Sequence, residues 1–209
     1  GYGVCLREAR VSLTPIGSEY EVVCRKLLFP RHLVLVLEVT NTLPDCVLTN
    51  LTPAVVAQRG SYAFVEATAL EQLLPQSTGA LRLVFERSDE LKTEIDLKMT
   101  FTLKENVDDE MGDDDEYVLD TVALGFADFI GPMEVVDFNA QFESLATDAS
   151  QTQAFKFPAF KSCAAAVEGL SKLLGMAPVE ETATVKPNAQ KHVLFLAGTL
   201  LLERPATVM

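Results

Sequence analysis

The sequence has no tryptophan and only four cysteines among its 209 residues. The cysteines are widely separated and form no CxxC pair, at Cys5, Cys24, Cys46 and Cys163. This spacing predicts neither a zinc site nor a disulfide framework. A chain of this length does not depend on disulfides for stability, so we expect reduced and mostly buried thiols.

Sequence motifs of known catalytic sites are also absent. The chain has no GxSxG elbow, Walker A loop, GxGxxG turn or HExxH helix. His32 and His192 have no cysteine, histidine or carboxylate at the spacing of a metal ligand set, which favours surface positions at strand ends. We therefore predict a protein that is not an enzyme and that has no catalytic residues, no bound metal and no cofactor.

Long apolar runs are missing as well. No run approaches the roughly 18 residues of a membrane span, and the N-terminus lacks a basic region followed by an apolar one. We therefore expect a cytosolic chain without direct membrane insertion. Residues 1–130 carry 22 acidic and 11 basic side chains, whereas residues 131–209 carry 8 and 6. The acidic first part would repel phosphates, which disfavours nucleic acid as a ligand.

The first 130 residues have the patterns of short strands. Ile95 to Leu103, "IDLKMTFTL", alternates apolar and polar residues, which predicts a half-buried strand. His32 to Val39, "HLVLVLEV", is apolar on both faces and predicts a central strand that ends at the turn residues of "TNTLPD". Short strands at this spacing, with few helical windows, indicate an antiparallel β-sandwich over residues 1–130.

The stretch from Glu105 to Glu116 holds eight carboxylates in twelve residues. A calcium loop would need a glycine at its sixth position, but Gly112 precedes the aspartate cluster instead of following it. Mutual repulsion would keep such a segment extended and solvated. Beyond it, Val118, Val122, Leu124 and Phe126 alternate on one side of a predicted strand. We therefore predict an acidic hairpin loop over residues 105–116.

The pattern changes after Ile130, where Gly131 and Pro132 follow. We predict a strand at Met133–Phe138, a helix with Phe138, Phe142 and Leu145 at helical spacing, and a buried strand in "HVLFLAGTLLL". The segment "FKSCAAAVEGLSKLLG" predicts a second helix whose apolar face is followed by the stop residue Gly175. This face contains Phe160, Cys163, Val167, Leu170 and Leu174. The pattern of residues 131–209 therefore predicts a small α/β subdomain.

Several stretches in this order resemble the C-terminal appendage, or ear, of the gamma subunit of coatomer, the COPI vesicle coat. They are "SEYEVVCRK", "LEVTNTLPD", "DDDEYVLD" after the acidic segment, "VVDFNAQFES", "LLGMAPVE" and "HVLFLAG". The resemblance extends over about 190 residues and rests on their colinearity. It implies an all-β immunoglobulin-like sandwich followed by a small α/β platform, as in adaptor appendages.

The family's platform site centres on a tryptophan one helical turn after a phenylalanine. The resemblance places these positions at Phe138 and Phe142, so this chain has phenylalanine instead of the tryptophan. From periodicity alone, the two rings are better explained as the inner face of a helix, and the resemblance makes an exposed binding site about equally good an explanation. The family also has a basic, glycine-containing hairpin near the C-terminus, whose arginine lines the site. Here "HVLFLAGT" continues directly into "LLLERPATVM", so either the platform is shortened or the hairpin lies outside this sequence. The family's arginine therefore has no assigned position, and Arg204 is not a convincing substitute.

The resemblance implies a non-enzymatic module that binds short motifs of coat accessory proteins, in particular an Arf GTPase-activating protein, and that acts with other coatomer subunits. It also implies a cytoplasmic location, peripheral on Golgi membranes and COPI vesicles. Two alternatives remain. One is a purely structural module that docks onto other coat subunits, which a buried Phe142 would favour. The other is a clathrin-adaptor appendage, against which the acidic segment before "EYVLD" counts.

Overall fold

A computed structural model of the chain describes residues 1–144, 154, 156, 158–202 and 206–208. The chain folds into two compact units, Gly1–Asp128 and Phe129–Met209. We call them the N-terminal unit and the C-terminal unit. The first is a sandwich of antiparallel sheets, and the second combines a small sheet with helices. The predicted fold class is therefore confirmed.

Ten strands form the N-terminal unit. They are β1 (Arg7–Ser12), β2 (Tyr20–Leu28), β3 (His32–Asn41), β4 (Val47–Arg59), β5 (Ala63–Thr68), β6 (Leu70–Leu73), β7 (Thr78–Glu86), β8 (Thr93–Lys104), β9 (Asp113–Val118) and β10 (Val122–Leu124). The first sheet has the order β1-β2-β3-β7-β5, and the second has the order β10-β8-β4-β6, with β9 also paired to β8. As predicted, β3 is a central strand.

The core lies between these two sheets. On β8, Ile95, Leu97, Met99 and Phe101 are buried and alternate with more exposed polar residues, as the period of two predicts. The ring of Phe101 contacts the ring of Tyr20 on β2 at 5.1 Å, so the two sheets meet through aromatic side chains. Burial raises the pKa of the Tyr20 hydroxyl to about 12.

The last residue of β3, at the start of the predicted turn, is a structural asparagine. Asn41 is fully buried, and its side-chain amide donates to the carbonyl oxygens of Cys46 and Leu74 at 2.7 and 3.3 Å. Its side-chain oxygen accepts from the backbone N–H of Leu43 at 3.1 Å. The buried amide therefore satisfies backbone groups of two turns, which a shorter or apolar side chain would leave unpaired.

The prediction of an acidic loop over residues 105–116 is wrong at its C-terminal end. The loop ends at Gly112, and Asp113–Glu116 belong to strand β9. The facing strand β8 explains how four carboxylates fit a strand: Lys98 binds Glu116 at 2.6 Å, and the Thr102 hydroxyl donates to Asp114 at 2.8 Å. Cross-strand pairs of this kind offset the repulsion among the carboxylates.

Two further expectations for this unit need correction. Val118 and Phe126, predicted on the same side as the buried Val122 and Leu124, are exposed, because β9 ends at Val118 and a 3₁₀ turn begins at Phe126. The thiols are not mostly buried. Cys24 on β2 is buried, which raises its pKa to about 12, whereas Cys46 and Cys163 are half-buried and Cys5 is exposed.

The C-terminal unit contains short elements. They are β11 (Ile130–Pro132), α1 (Phe138–Ser144), α2 (Cys163–Leu174), β12 (Ala177–Pro178), β13 (Leu196–Leu200) and β14 (Ala206–Val208). β13 is central and pairs antiparallel with β11, β12 and β14. A 3₁₀ turn, Glu180–Ala183, follows β12.

The predicted second helix is confirmed as α2. Ser162 caps its N-terminus by accepting from the Ala165 N–H, and Gly175 ends it in the left-handed conformation at φ 68°. Val167 is buried at the centre of the predicted apolar face, and the other four residues of that face are half-buried.

Two strand predictions in this unit fail in part. Residues 133–137 form no strand, because Asp137 caps α1 and the helix starts at Phe138. In "HVLFLAGTLLL" the strand begins at Leu196, four residues after His192. The half-buried His192 instead hydrogen-bonds through Nε2 to the Thr182 carbonyl at 2.7 Å. Leu145 of the first predicted helix lies outside the described residues.

Candidate functional site

Helix α1 brings the two predicted site residues together. The carboxylate of Asp137 accepts from the N–H of Ala140 at 3.0 Å, which fixes the start of the helix. Phe138 and Phe142 then lie one turn apart, and their rings stack with centroids 5.7 Å apart and planes inclined by 16°. The sequence prediction of a paired aromatic face on this helix is therefore confirmed.

The two rings differ in their exposure to solvent. Phe138 is 6% exposed and forms a small core with Val179 and Ala197. Phe142 is 49% exposed. Of the two explanations left open by periodicity, an inner helix face thus applies to Phe138, while Phe142 presents about half of its surface to solvent.

A third ring, which the sequence analysis did not single out, completes this aromatic group. Phe195 stacks on Phe138 with centroids 4.7 Å apart and an inclination of 11°. Its backbone carbonyl accepts from the Val179 N–H at 2.9 Å, and its N–H donates to the Thr182 hydroxyl at 3.3 Å. These bonds position Phe195 just before β13. The apolar run "HVLFLAG" predicts that Phe195 lies in a buried segment. It does not predict that Phe195 contacts Phe138, because the two residues are distant in sequence.

The end of α2 also contributes to the site. The left-handed Gly175 donates its N–H to the Ser171 carbonyl at 2.9 Å and turns the chain between Leu174 and Met176. Both of these side chains line a hollow of about 510 Å³ beside the exposed ring of Phe142. The complete lining is Phe138, Asn139, Phe142, Leu174, Met176, Leu194, Phe195 and Leu196.

The chemistry of this hollow is that of an apolar binding site. Eight described residues line the hollow. Seven of them are apolar, and only Asn139 is polar. Within the part of the chain that the structure describes, no group of three or more His, Cys, Asp or Glu side chains is arranged to hold a metal ion. The hollow therefore suits an apolar side chain with one hydrogen-bonding neighbour.

Near the C-terminal end of the sequence, β14 is an antiparallel neighbour of β13. β13 and β14 pair from Leu200 with Ala206 to Gly198 with Val208. Arg204, which we did not accept as a substitute for the family's arginine, lies outside the described residues.

Comparison with family models matches both units of the chain. A model described as "Coatomer gamma subunit appendage platform subdomain" matches residues 1–125. A second, described as "Coatomer subunit gamma-1 C-terminal appendage platform", matches residues 127–209. The chain belongs to the coatomer gamma appendage family. The resemblance inferred from the colinear stretches is thus confirmed, and the chain is an appendage module of the kind found in the COPI coat.

Curated relatives agree with this assignment. Coatomer subunit gamma of Dictyostelium discoideum is 30% identical over 212 residues, which cover 96% of this chain and 23% of the relative. Coatomer subunit gamma-1 of Mus musculus is 31% identical over 196 residues, which cover 90% of this chain and 22% of the relative. The chain therefore spans less than a quarter of the length of these coatomer gamma subunits.

Among solved structures, one match is the GAE domain of yeast GGA1. The match covers 56% of this chain and 98% of that domain, with a TM-score of 0.41 and 16% identity.

In the described part of this coatomer gamma appendage, neither α1 nor any other helix combines the length and the apolar character needed to cross a membrane.

Proposed function

We propose that this coatomer gamma appendage is a non-enzymatic recruitment module, which binds short motifs of coat accessory proteins in the hollow beside Phe142. An Arf GTPase-activating protein is the partner that we favour. The module would act with the other coatomer subunits, on the cytoplasmic side of Golgi membranes and on COPI vesicles. The exposure of Phe142 next to an apolar hollow is the observation that supports this proposal.

The energetics of the site suit a small number of strong contacts. Exposed aromatic side chains are common anchors of protein interfaces, and burial of one such ring can dominate the binding free energy. Phe142 already stacks on the buried Phe138, so little of its rotamer freedom remains to be lost when a ligand binds. A preformed hollow beside a fixed ring therefore supports peptide recognition at this position.

The replacement of the family's tryptophan by phenylalanine affects the ligand. A phenyl ring retains most of the apolar contact but has no indole N–H to donate. We therefore expect a ligand whose anchor is apolar and requires no hydrogen-bond donor from position 142. The side chain of Asn139 in the lining offers both a donor and an acceptor for the backbone of such a ligand.

The decisive experiment is a calorimetric titration of the chain with the non-catalytic region of an Arf GTPase-activating protein. We expect Phe142→Ser to weaken binding by roughly 30-fold, which corresponds to the loss of about 2 kcal/mol typical of an interface hot spot. Phe126→Ser is the matched control, because Phe126 lies in the N-terminal unit and is also 49% exposed. This control should bind like the unmodified chain.

Equal affinities of the unmodified chain and Phe142→Ser would show that the hollow is not the binding site. The structural alternative gives a different result. A module that only docks onto other coat subunits would bind no accessory region, and its association with those subunits would not respond to Phe142→Ser.

A further inference from the structure

Strand β5 of the N-terminal unit is an open edge of its sheet. It pairs with β7 on one side, and no strand in the described part of the chain pairs with its other side. All six of its residues are exposed, including Phe64 at 51% and Val65 at 53%. Its outer backbone N–H and C=O groups are therefore available to another extended chain.

The position of Phe64 shows that the sandwich core reaches this edge without being covered. Phe64 lies opposite Phe85 in the register of β5 and β7, and the two rings are 5.7 Å apart at 70°. Phe85 is fully buried. Ala67 likewise lies opposite the buried Leu83. Phe64 and Ala67 thus belong to the core side of the sheet, and a neighbouring strand would extend this side.

The other face of β5 carries one carboxylate, that of Glu66, and Arg82 of β7 lies on the same face opposite Thr68. Glu66 lies opposite Val84, one position along β7 from Phe85, and therefore on the face away from the core. Its carboxylate accepts from the Tyr2 hydroxyl at 2.8 Å and lies 4.0 Å from Arg82. Glu86 and Glu90 adjoin the start of β5, where Glu86 pairs with Ala63 and Glu90 binds Ser61.

This charge distribution disfavours a second copy of the chain as the occupant of the edge. Residues 1–128 carry 22 acidic and 11 basic side chains, a net charge of −11. Pairing of β5 with another β5 would bring like carboxylates together, which is unfavourable across strands. A strand with basic residues on the outer face would instead complement Glu66.

The other edges of the sandwich lack this combination. β9 carries aspartates at Asp113, Asp114 and Asp115, and its aromatic residue Tyr117 packs edge-on against Tyr20. β1 presents charged side chains, and β1, β6 and β10 contain no aromatic residue. An exposed aromatic ring on the core side together with a carboxylate on the outer side is a feature of β5.

We propose that β5 accepts an extended segment of another protein as an additional strand, and that this segment alternates apolar and basic residues. The added backbone would hydrogen-bond to the free edge of β5. Its apolar side chains would cover Phe64 and Ala67, and its basic side chains would face Glu66. This surface is in the N-terminal unit and does not depend on the hollow beside Phe142.

A peptide titration followed by NMR of the backbone amides tests this inference. The probe is an acetylated and amidated hexapeptide that alternates valine and lysine, and its control is the block sequence of three valines and three lysines. We expect the alternating peptide to shift amides of β5 and β7 and to bind at least fivefold more tightly than the block peptide. Phe64→Ser and Glu66→Lys should each weaken its binding at least fivefold.

Matched substitutions on β9 separate strand addition from general attraction to an acidic protein. Val118→Ser removes an apolar residue that is 70% exposed, and Glu116→Lys makes the same charge change as Glu66→Lys. Both should leave binding unchanged. Three results would overturn the proposal: absence of binding, equal binding of both peptides, or shifts confined to β9 and the acidic loop. Self-association abolished by Phe64→Ser, measured by sedimentation, would identify a second copy as the occupant and also overturn it.

Discussion

The ring of Phe195 lies 4.7 Å from the ring of Phe138 and is inclined to it by only 11°. Phe138 also stacks with Phe142, so one buried ring contacts both a neighbour in the core and the exposed ring of the candidate site. The geometry of the site therefore depends on the packing of the C-terminal unit. Substitutions at these three positions should affect stability and binding to different degrees.

The first prediction separates folding from recognition within helix α1. Phe138→Ala should lower the stability of the C-terminal unit by about 3 to 5 kcal/mol, because it removes a buried aromatic side chain and leaves a cavity. Phe142→Ala should lower it by about 1 kcal/mol or less, because half of that ring is already in water. Hydrogen exchange of amides in α1 and β13 measures both effects. Similar losses in the two variants would contradict this assignment.

The aromatic pair on α1 was predictable from the sequence because both rings belong to one helix, and a spacing of four residues places them on the same face. The contribution of Phe195 was not, since it depends on the pairing of distant segments through Val179 and Thr182. The acidic segment shows a similar limit. Its composition indicates a loop, but the partners Lys98 and Thr102 on β8 allow its second part to form a strand.

The second prediction concerns the hydroxyl that positions Phe195. Thr182 donates to the Val179 carbonyl at 2.6 Å and accepts from the Phe195 N–H at 3.3 Å. Thr182→Val preserves the shape but removes the hydroxyl, and a polar group left unpaired by such a change typically costs about 1 to 3 kcal/mol. We expect lower stability and weaker peptide binding. Thr182→Ser should retain both properties in denaturation and calorimetric assays, and a valine variant equal to the unmodified chain would show that these bonds are dispensable.

The third prediction concerns an ion pair in the N-terminal unit. Lys26 Nζ lies 2.6 Å from Asp128 Oδ1, and the two side chains are only 11% and 14% exposed. Lys26 also donates to the Ala123 carbonyl at 3.1 Å. Lys26→Met should destabilise this unit by about 3 kcal/mol, because it leaves a largely buried carboxylate without its cation.

A urea-unfolding double-mutant cycle of Lys26→Met and Asp128→Asn measures the coupling of this pair. The control is Arg59→Met, since Arg59 is 55% exposed and its ion pairs should contribute about 1 kcal/mol or less. A coupling energy near zero between Lys26 and Asp128 would exclude a stabilising role for their contact.

The last prediction follows from the hydrogen bonds of Asp96 on β8. The Thr121 hydroxyl donates to its carboxylate at 2.7 Å, and Arg59 binds both of its oxygens at 3.0 Å. These contacts, that of Thr121 first, lower the pKa of Asp96 below its ordinary value of 3.8. The folded state therefore favours the charged form of Asp96. The stabilisation of the fold by this carboxylate is fully present above the pKa that Asp96 has in the unfolded chain. It is lost as the pH falls through the lower pKa that Asp96 has in the folded state.

Titration of the Asp96 carboxyl by NMR tests this relationship. Thr121→Val should raise the pKa of Asp96 towards 3.8 and so narrow the acidic range in which the carboxylate stabilises the fold. Thr40→Val is a suitable control, because the Thr40 hydroxyl bonds to that of Thr78 at 2.8 Å and is not a partner of Asp96. Both Arg59 and the neutral Thr121 hydroxyl lower the pKa of Asp96. High salt should weaken the effect of the exposed Arg59 more than that of Thr121, because only the interaction with Arg59 is one between two charges. A pKa of Asp96 that responds to Arg59→Met but not to Thr121→Val would assign the shift to the ion pair instead of the hydroxyl.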